Sequence, residues 1–189
     1  MELINKKEHL SKEGFLKIVS LRASLNKGLS ENLQVYFPNI VKNNVPDVFI
    51  PKIIDLNWLA GFFSGEGTFR VRLIKSNTHK IEYKVVLVVC VGQHSRDEIL
   101  IKHLVHLLKC GYAYNYNNRD YVEYFVSKFN DVYYKIIPLF KEYKIQGMKS
   151  LDFEDFCKVG ELIRNKVHLT TKGLEEIRII KLRMNKARY

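Results

Sequence analysis

The sequence predicts an α+β fold, a four-stranded antiparallel sheet with helices on one face, and three observations predict it. Residues 68–75 alternate Phe69, Val71 and Leu73 with Thr68, Arg70 and Arg72, the period of a half-buried strand. Residues 112–116 and 121–129 flank Asn117-Asn118-Arg119-Asp120, a turn that reads as the tip of a hairpin. Between the two strand pairs, residues 97–109 repeat Leu100, Leu104, Leu107 and Leu108 at helical spacing. Such a sheet covers one face with its helices and leaves the other free to touch something.

Taken in order, Asp55 can cap a helix that carries the bulky Trp58, Leu59, Phe62 and Phe63, with Gly67 as its terminator. The first strand follows, then the turn Ser76-Asn77-Thr78-His79 and a second strand over residues 83–91. Beyond the second pair of strands, residues 131–143 and 151–165 read as helices, giving the order αββαββα plus a terminal helix. Residues 30–54 hold three of the four prolines, Pro38, Pro46 and Pro51, and no sustained period. They read as a linker, whose Val35, Phe37, Ile40, Val48, Phe49 and Ile50 predict that it packs down.

The head of the chain repeats at its tail. The residues from Glu2-Leu3-Ile4 through His9-Leu10-Ser11 to Gly14 and Ile18 recur 159 positions later from Glu161-Leu162-Ile163 through His168-Leu169-Thr170 to Gly173 and Ile177. Asn26-Lys27 and Asn185-Lys186 extend the match without a gap, and about ten of some 27 pairs are identical. Residues 1–29 are therefore expected to be the C-terminal helical segment of a missing first repeat, 30–54 the linker, and 55–189 one domain. Ser11 and Thr170 are candidate caps of equivalent helices. In the second of these, Leu174, Ile177, Ile180 and Met184 face inward and leave Arg178, Lys181 and Arg183 as a basic face.

Composition narrows the function. The chain has 189 residues, 47% of them hydrophobic, so it can bury a core and general disorder is excluded. Its 10 Gly, 4 Pro and 3 Cys exclude collagen-like and disulfide-scaffold classes. The longest apolar run, residues 85–91, falls well short of the ~18 residues of a membrane-spanning helix. No membrane partner is therefore expected, and no secretory or transit signal is visible at the start. Cys90, Cys110 and Cys157 lack metal-ligand spacing. With 31 Lys+Arg against 20 Asp+Glu the net charge is +11, and polyanions lead as partners. The basic residues alternate with apolar ones in the strands, the pattern of a charged sheet face.

The chemistry-bearing segment is Leu59-Ala60-Gly61-Phe62-Phe63-Ser64-Gly65-Glu66-Gly67. Gly61 and Gly65 lie one turn apart, and each costs a helix about 1 kcal/mol relative to alanine. Two on one face point to a tight helix-to-helix seam. Glu66 lies in the last turn, where the helix dipole is unfavourable for an anion and a cation relieves it, so Glu66 reads as a divalent-metal ligand.

This stretch resembles the LAGLIDADG motif of homing endonucleases, with Ser64-Gly65-Glu66-Gly67 at its D-A-D-G end. Val91-Gly92-Gln93-His94, Ser127-Lys128-Phe129, Gly147-Met148-Lys149-Ser150 and Asp152-Phe153-Glu154-Asp155-Phe156-Cys157 also resemble segments of those enzymes. The likeness covers residues 1–189 and is nearest to the C-terminal half of two-motif enzymes from organellar introns. It implies the LAGLIDADG fold, with a saddle-shaped sheet, and metal-dependent hydrolysis of double-stranded DNA in the mitochondrion, with Mg2+ or Mn2+. By match, Glu66 holds the metal with the Gly65 carbonyl as a further contact, and Gln93 and Lys149 order water or stabilise charge at the scissile phosphate.

The resemblance also implies that the sheet reads DNA through Arg70, Arg72, Lys75, Lys84, Tyr114, Tyr116, Asn117, Arg119 and Lys128. In the second strand Lys84, Val86, Val88 and Cys90 take the alternating outward positions, and the last three offer only apolar contact, suited to thymine methyls. A single motif supplies one carboxylate set, whereas cutting both strands needs two. Three assemblies remain open: a homodimer through the Gly61/Gly65 face, a half with a separately made partner, and an inactive DNA-binding remnant. The repeated head argues against the homodimer. An intron-RNA maturase is the alternative activity.

Overall fold

The structure, a computed structural model, describes residues 2–25, 28–44, 54–77 and 81–185. The chain divides into two compact units, Met1–Phe49 and Ile50–Tyr189.

The smaller unit is helical. A short helix α1 (Glu2–Asn5) and a 3-10 turn (Glu8–Leu10) precede α2 (Lys12–Ser24), which Ser11 caps by accepting the Gly14 N–H at 3.0 Å. Residues of the expected linker form a further helix, α3 (Glu31–Tyr36). Six residues are too few to show the periodicity that would have revealed it. Phe37 and Ile40 pack against Val19, Ala23 and Leu29, as their apolar character predicts. Val48, Phe49, Ile50, Pro46 and Pro51 lie outside the described residues.

The larger unit begins with α4 (Leu56–Gly65), capped by the Asp55 side chain on the Asn57 N–H at 2.7 Å. Glu66 is its C-cap, and β1 (Gly67–Lys75) starts at the next residue. After β2 (Tyr83–Gln93) come a 3-10 turn and α5 (Glu98–Leu108), which stops where Lys109 adopts a left-handed conformation. A hairpin follows, β3 (Tyr112–Tyr116) and β4 (Tyr121–Val126). The predicted fourth strand ran to residue 129, but β4 stops at Val126 and Lys128 caps the next helix, α6 (Phe129–Asp131). The helix expected over 131–143 contains a π turn (Val132–Ile136) before α7 (Ile137–Glu142). Then come α8 (Met148–Arg164) and α9 (Thr171–Leu182).

All four strands form one antiparallel sheet in the order β1-β2-β4-β3. Phe69, Val71, Leu87, Val89, Val122 and Tyr124 point from one face into the core, where they meet Phe63, Phe140, Phe153 and Phe156. α9 is clamped onto this body by Arg183, whose guanidinium binds both Asp155 oxygens at 2.7 and 2.8 Å. Arg183 keeps half of its side chain exposed, as the expected basic face has it, while its guanidinium reaches down to Asp155, which is buried and needs a paired cation.

The repeated segments fold alike. Lys7 and Lys166 are both left-handed (φ 57° and 58°), each opens a 3-10 turn, and Thr170 caps α9 on the Gly173 N–H as Ser11 caps α2. They differ in what their helices bury. Leu174, Ile177, Ile180 and Met184 are buried, whereas the equivalent Phe15, Leu21 and Leu25 are 48%, 47% and 58% exposed.

Candidate nuclease site

Period-two alternation decides which side chains the open sheet face carries. Outward on β1 are Thr68, Arg70, Arg72 and Ile74. Facing them on β2 are Cys90, Val88, Val86 and Lys84. β4 and β3 add Tyr121, Glu123 and Phe125 against Tyr116, Tyr114 and Tyr112. Of the sequence-predicted contacts, Arg70, Arg72, Lys84, Tyr114 and Tyr116 therefore share one face, with Asn117 and Arg119 in the exposed turn at its edge. Two predicted residues are placed elsewhere. Lys75 has the parity of Val71 and Leu73, so it belongs to the helix side at the frayed end of β1, and Lys128 lies beyond the sheet.

The apolar stripe on β2 is also corrected. Val88 and Cys90 point outward but are only 1% and 3% exposed, so they cannot reach thymine methyls. Their cross-strand neighbours Arg70, Thr68 and Phe125 lie over them. Burial, followed by the Glu123 carboxylate, raises the Cys90 thiol to about 11. Polar and aromatic side chains flanking β2 thus make the accessible surface. Arg119 stacks on Tyr116 (4.3 Å) and Tyr121 (5.0 Å), and Tyr114 meets Tyr116 edge-on at 4.6 Å.

At one end of this sheet, α4 delivers Glu66, exposed at the C-cap with its N–H bonded to the Phe62 and Phe63 carbonyls. Lys149, in the first turn of α8, donates from Nζ to the Gly65 carbonyl at 2.8 Å. Partial burial lowers the Lys149 pKa against the opposing pull of Glu66 and Asp152, so the ammonium is a somewhat stronger acid than a solvated lysine. Ser64, which sequence reasoning passed over, ties the two segments together. Its hydroxyl donates to the Ala60 carbonyl at 2.6 Å and accepts the Gln146 N–H at 2.9 Å. Gly67 pairs with Val91, which puts Gln93 two residues further along β2, at the same end of the sheet. Gln93 has the parity of the core face, and its polar head is half-exposed at the strand terminus.

Two features bear on a metal. The oxygens of Glu66 and Gly65 are hard donors, the type that suits magnesium or calcium. Among the described residues, however, no three His, Cys, Asp or Glu side chains converge on a point. The donors fit a divalent ion as part of a site, with waters or another chain segment supplying the remainder. The second feature is the motif face. A Cβ built on Gly61 or on Gly65 would meet nothing within 4 Å, and Trp58 stacks on Phe62 beside them, partly exposed. The backbone of α4 is open along this side.

Known proteins share these features. The family model for LAGLIDADG endonucleases matches residues 59–160. A probable intron-encoded endonuclease 2 of Neurospora crassa is 39% identical over 187 residues, covering 94% of this chain and 40% of that protein. The intron-encoded DNA endonuclease aI3 of Saccharomyces cerevisiae is 29% identical over 128 residues, 65% of this chain and 29% of the yeast protein. The crystal structure of the LAGLIDADG homing endonuclease I-SmaMI bound to cleaved DNA superposes with a TM-score of 0.96 at 45% identity, over all of this chain and 63% of that one. I-SmaMI has also been solved on uncleaved DNA in the presence of calcium ions, with a TM-score of 0.94, 45% identity and coverage of 98% and 63%. I-LtrWI on its target DNA gives a TM-score of 0.94 at 39% identity, with coverage of 100% and 63%. The chain thus spans less than two thirds of each of these relatives, and under half of the two intron-encoded proteins. With the motif helix, the sheet and the flanking segments all matched across more than half of its residues, the chain belongs to the LAGLIDADG homing endonuclease family.

Proposed function

We propose that this chain is one half of a site-specific endonuclease that hydrolyses phosphodiesters of double-stranded DNA, and that it acts with a second LAGLIDADG domain. The observation that carries this is the clustering of Glu66, the Gly65 carbonyl and the Lys149 ammonium at one end of a basic, helix-free sheet face. Glu66 and Gly65 would hold magnesium or manganese, which when bound lowers the pKa of water and offsets charge on the leaving oxygen. The Lys149 ammonium places positive charge where phosphate oxygens gain negative charge in the transition state. Gln93 orients water at the strand end. Arg70, Arg72, Lys84, Asn117 and Arg119, with Tyr114 and Tyr116, hold and read the duplex, and Lys128 contacts phosphate from beyond the sheet.

The second domain is argued from the open α4 face and from the smaller unit. Gly61 and Gly65 allow another backbone to approach α4 without displacing a side chain. α2 reproduces the cap and entry turn of α9 yet exposes the apolar row that α9 buries, which supports reading residues 1–29 as the tail of a first repeat, 30–54 as a linker and 55–189 as the LAGLIDADG domain. Its apolar row is suited to the body of that first repeat, in the same polypeptide or another. The intron-encoded relatives favour an organellar, mitochondrial setting.

The test is to select bound duplexes from a randomised library and measure their cleavage in magnesium and in manganese, with the second domain supplied. Glu66→Gln should keep binding and lose cleavage, and Lys149→Met should lower the cleavage rate by 10²-fold or more, about the effect of deleting one preorganised donor. Cleavage by Glu66→Gln at the parental rate would refute the assignment.

A further inference from the structure

Among the outward strand positions described above, one side chain is acidic. Glu123 sits on β4, one of the two inner strands, opposite Tyr114 on β3 and Gly92 on β2. A carboxylate there opposes the basic face around it and repels phosphate. Yet no lysine or arginine ion-pairs with it among the described residues. A neutral donor orients it instead: the Tyr116 hydroxyl donates to Oε2 at 3.1 Å. Gly92 beside it leaves room that the Tyr121 ring fills, since a Cβ there would collide with the Tyr121 hydroxyl.

An ionised carboxylate has four acceptor sites and no donor, so acceptor sites besides the one that Tyr116 fills are available here. In the major groove it needs a base edge that offers a donor without an adjacent acceptor. Adenine pairs its N6 donor with the N7 acceptor, guanine presents two acceptors, and thymine an acceptor and a methyl. Cytosine alone presents an isolated N4 donor.

The geometry points to Glu123 as a specificity-determining residue that accepts a hydrogen bond from cytosine N4 at one base pair, held in place by Tyr116. This rests on the reading of the sheet as a DNA surface. Tyr116 is then a positioning residue first, with its ring shared between Arg119 and the groove.

The full chain, with the second domain supplied, is used to enrich duplexes from a randomised double-stranded library in metal-free buffer, so that binding alone is read. The parent should fix one C·G pair whose replacement weakens binding by about 10-fold, the lower part of the range for one good base contact. Glu123→Gln exchanges one acceptor for a donor and should convert the preference at that pair to A·T, since glutamine matches adenine N6 and N7. All other positions should be unchanged. Tyr116→Phe should relax the same pair by a smaller factor, and it retains the ring, so it reports on the hydroxyl even if the glutamine variant folds poorly. Identical consensus sequences from the parent and both variants would overturn the role of Glu123 while leaving the DNA surface intact. Failure of the parent to enrich any sequence would overturn both.

Discussion

The two capped helices offer a matched pair of perturbations. In Gly173→Ala the new Cβ would stand 2.0 Å from the Val167 carbonyl oxygen and 2.6 Å from its carbon. Ordinary contact is about 3.5 Å, so the start of α9 must move by roughly 1.5 Å against backbone, which cannot rotate away as a side chain can. That movement breaks the Thr170 cap on the Gly173 N–H, worth about 1 kcal/mol. It also lifts Leu174, Ile177 and Ile180, whose burial is worth ~1.5–3 kcal/mol each; losing a third of that adds about 1.5–3 kcal/mol. Alanine's helix preference returns about 1 kcal/mol. The balance is a loss on the order of 2 kcal/mol, or about 4–8 °C in Tm for a chain of this size. In Gly14→Ala the local clash is the same, with the Glu8 carbonyl oxygen 1.9 Å away, but α2 has its apolar row already half-exposed and little burial to forfeit. Its cost should be confined to local fraying and stay below ~1 kcal/mol. Urea titrations followed by circular dichroism, with amide exchange to localise the effect, measure both. Gly173→Ala as stable as the parent, or equal global losses from the two substitutions, would refute the reasoning.

Cys90 and Cys157 are both raised from 9.0 to about 11, chiefly by burial. Because the native state holds these protons more tightly than the unfolded chain, their contribution is intact below pH 9 and is lost as the pH rises toward 11. Thermal melts should therefore drop over that window, and Cys90→Ala should flatten the decline; a decline of unchanged steepness would count against the assignment. Lys84→Ala should weaken all duplexes alike and reduce the salt slope of binding by about 0.9, as loss of one phosphate contact requires. Arg72→Ala, on the same face, should instead relax preference at one base pair, checked by enrichment from a random library. An unchanged salt slope for Lys84→Ala would remove it from the DNA surface.

What could be read from the sequence was local and periodic. Alternation in 68–75 and 83–91 identified the strands and the outward side, because the side-chain period of two survives without knowledge of the partner strand. Capping by Asp55, Ser11 and Thr170 was legible for the same reason: the hydrogen bonds close within three residues. The misreadings concern relations across the chain. Arg183 is exposed as its helical position predicts, but its ion pair was invisible because its partner Asp155 is 28 residues away. Val88 and Cys90 looked available because alternation reports direction and says nothing of a neighbour's reach. α3 is too short to show a period, and the π turn at Val132–Ile136 has no simple sequence signature. Glu123 was missed although a signal was present, since its parity with Tyr121 and Phe125 places it outward among aromatics.

The site itself divides along the same line. The glycine pair and the acid at the end of the motif are contiguous in sequence, and the chemistry they imply follows from residue type and helix position. Lys149 is 84 residues from the carbonyl it binds, and only folding shows that it reaches the motif. Its contact clarifies why the donor set is incomplete. An ammonium on the Gly65 oxygen offsets the negative end of α4 while competing with any ion for that oxygen. A second LAGLIDADG helix packed along Gly61 and Gly65 would bring its own carboxylate to the axis, and two carboxylates attract a dication far more strongly than one carboxylate beside a lysine. Metal affinity and helix pairing are then coupled, so each should strengthen the other by the same factor. A half held apart from its partner would bind magnesium weakly, and the same residues would bind it well once the seam closed, which makes cleavage conditional on assembly without any change in the fold of either half.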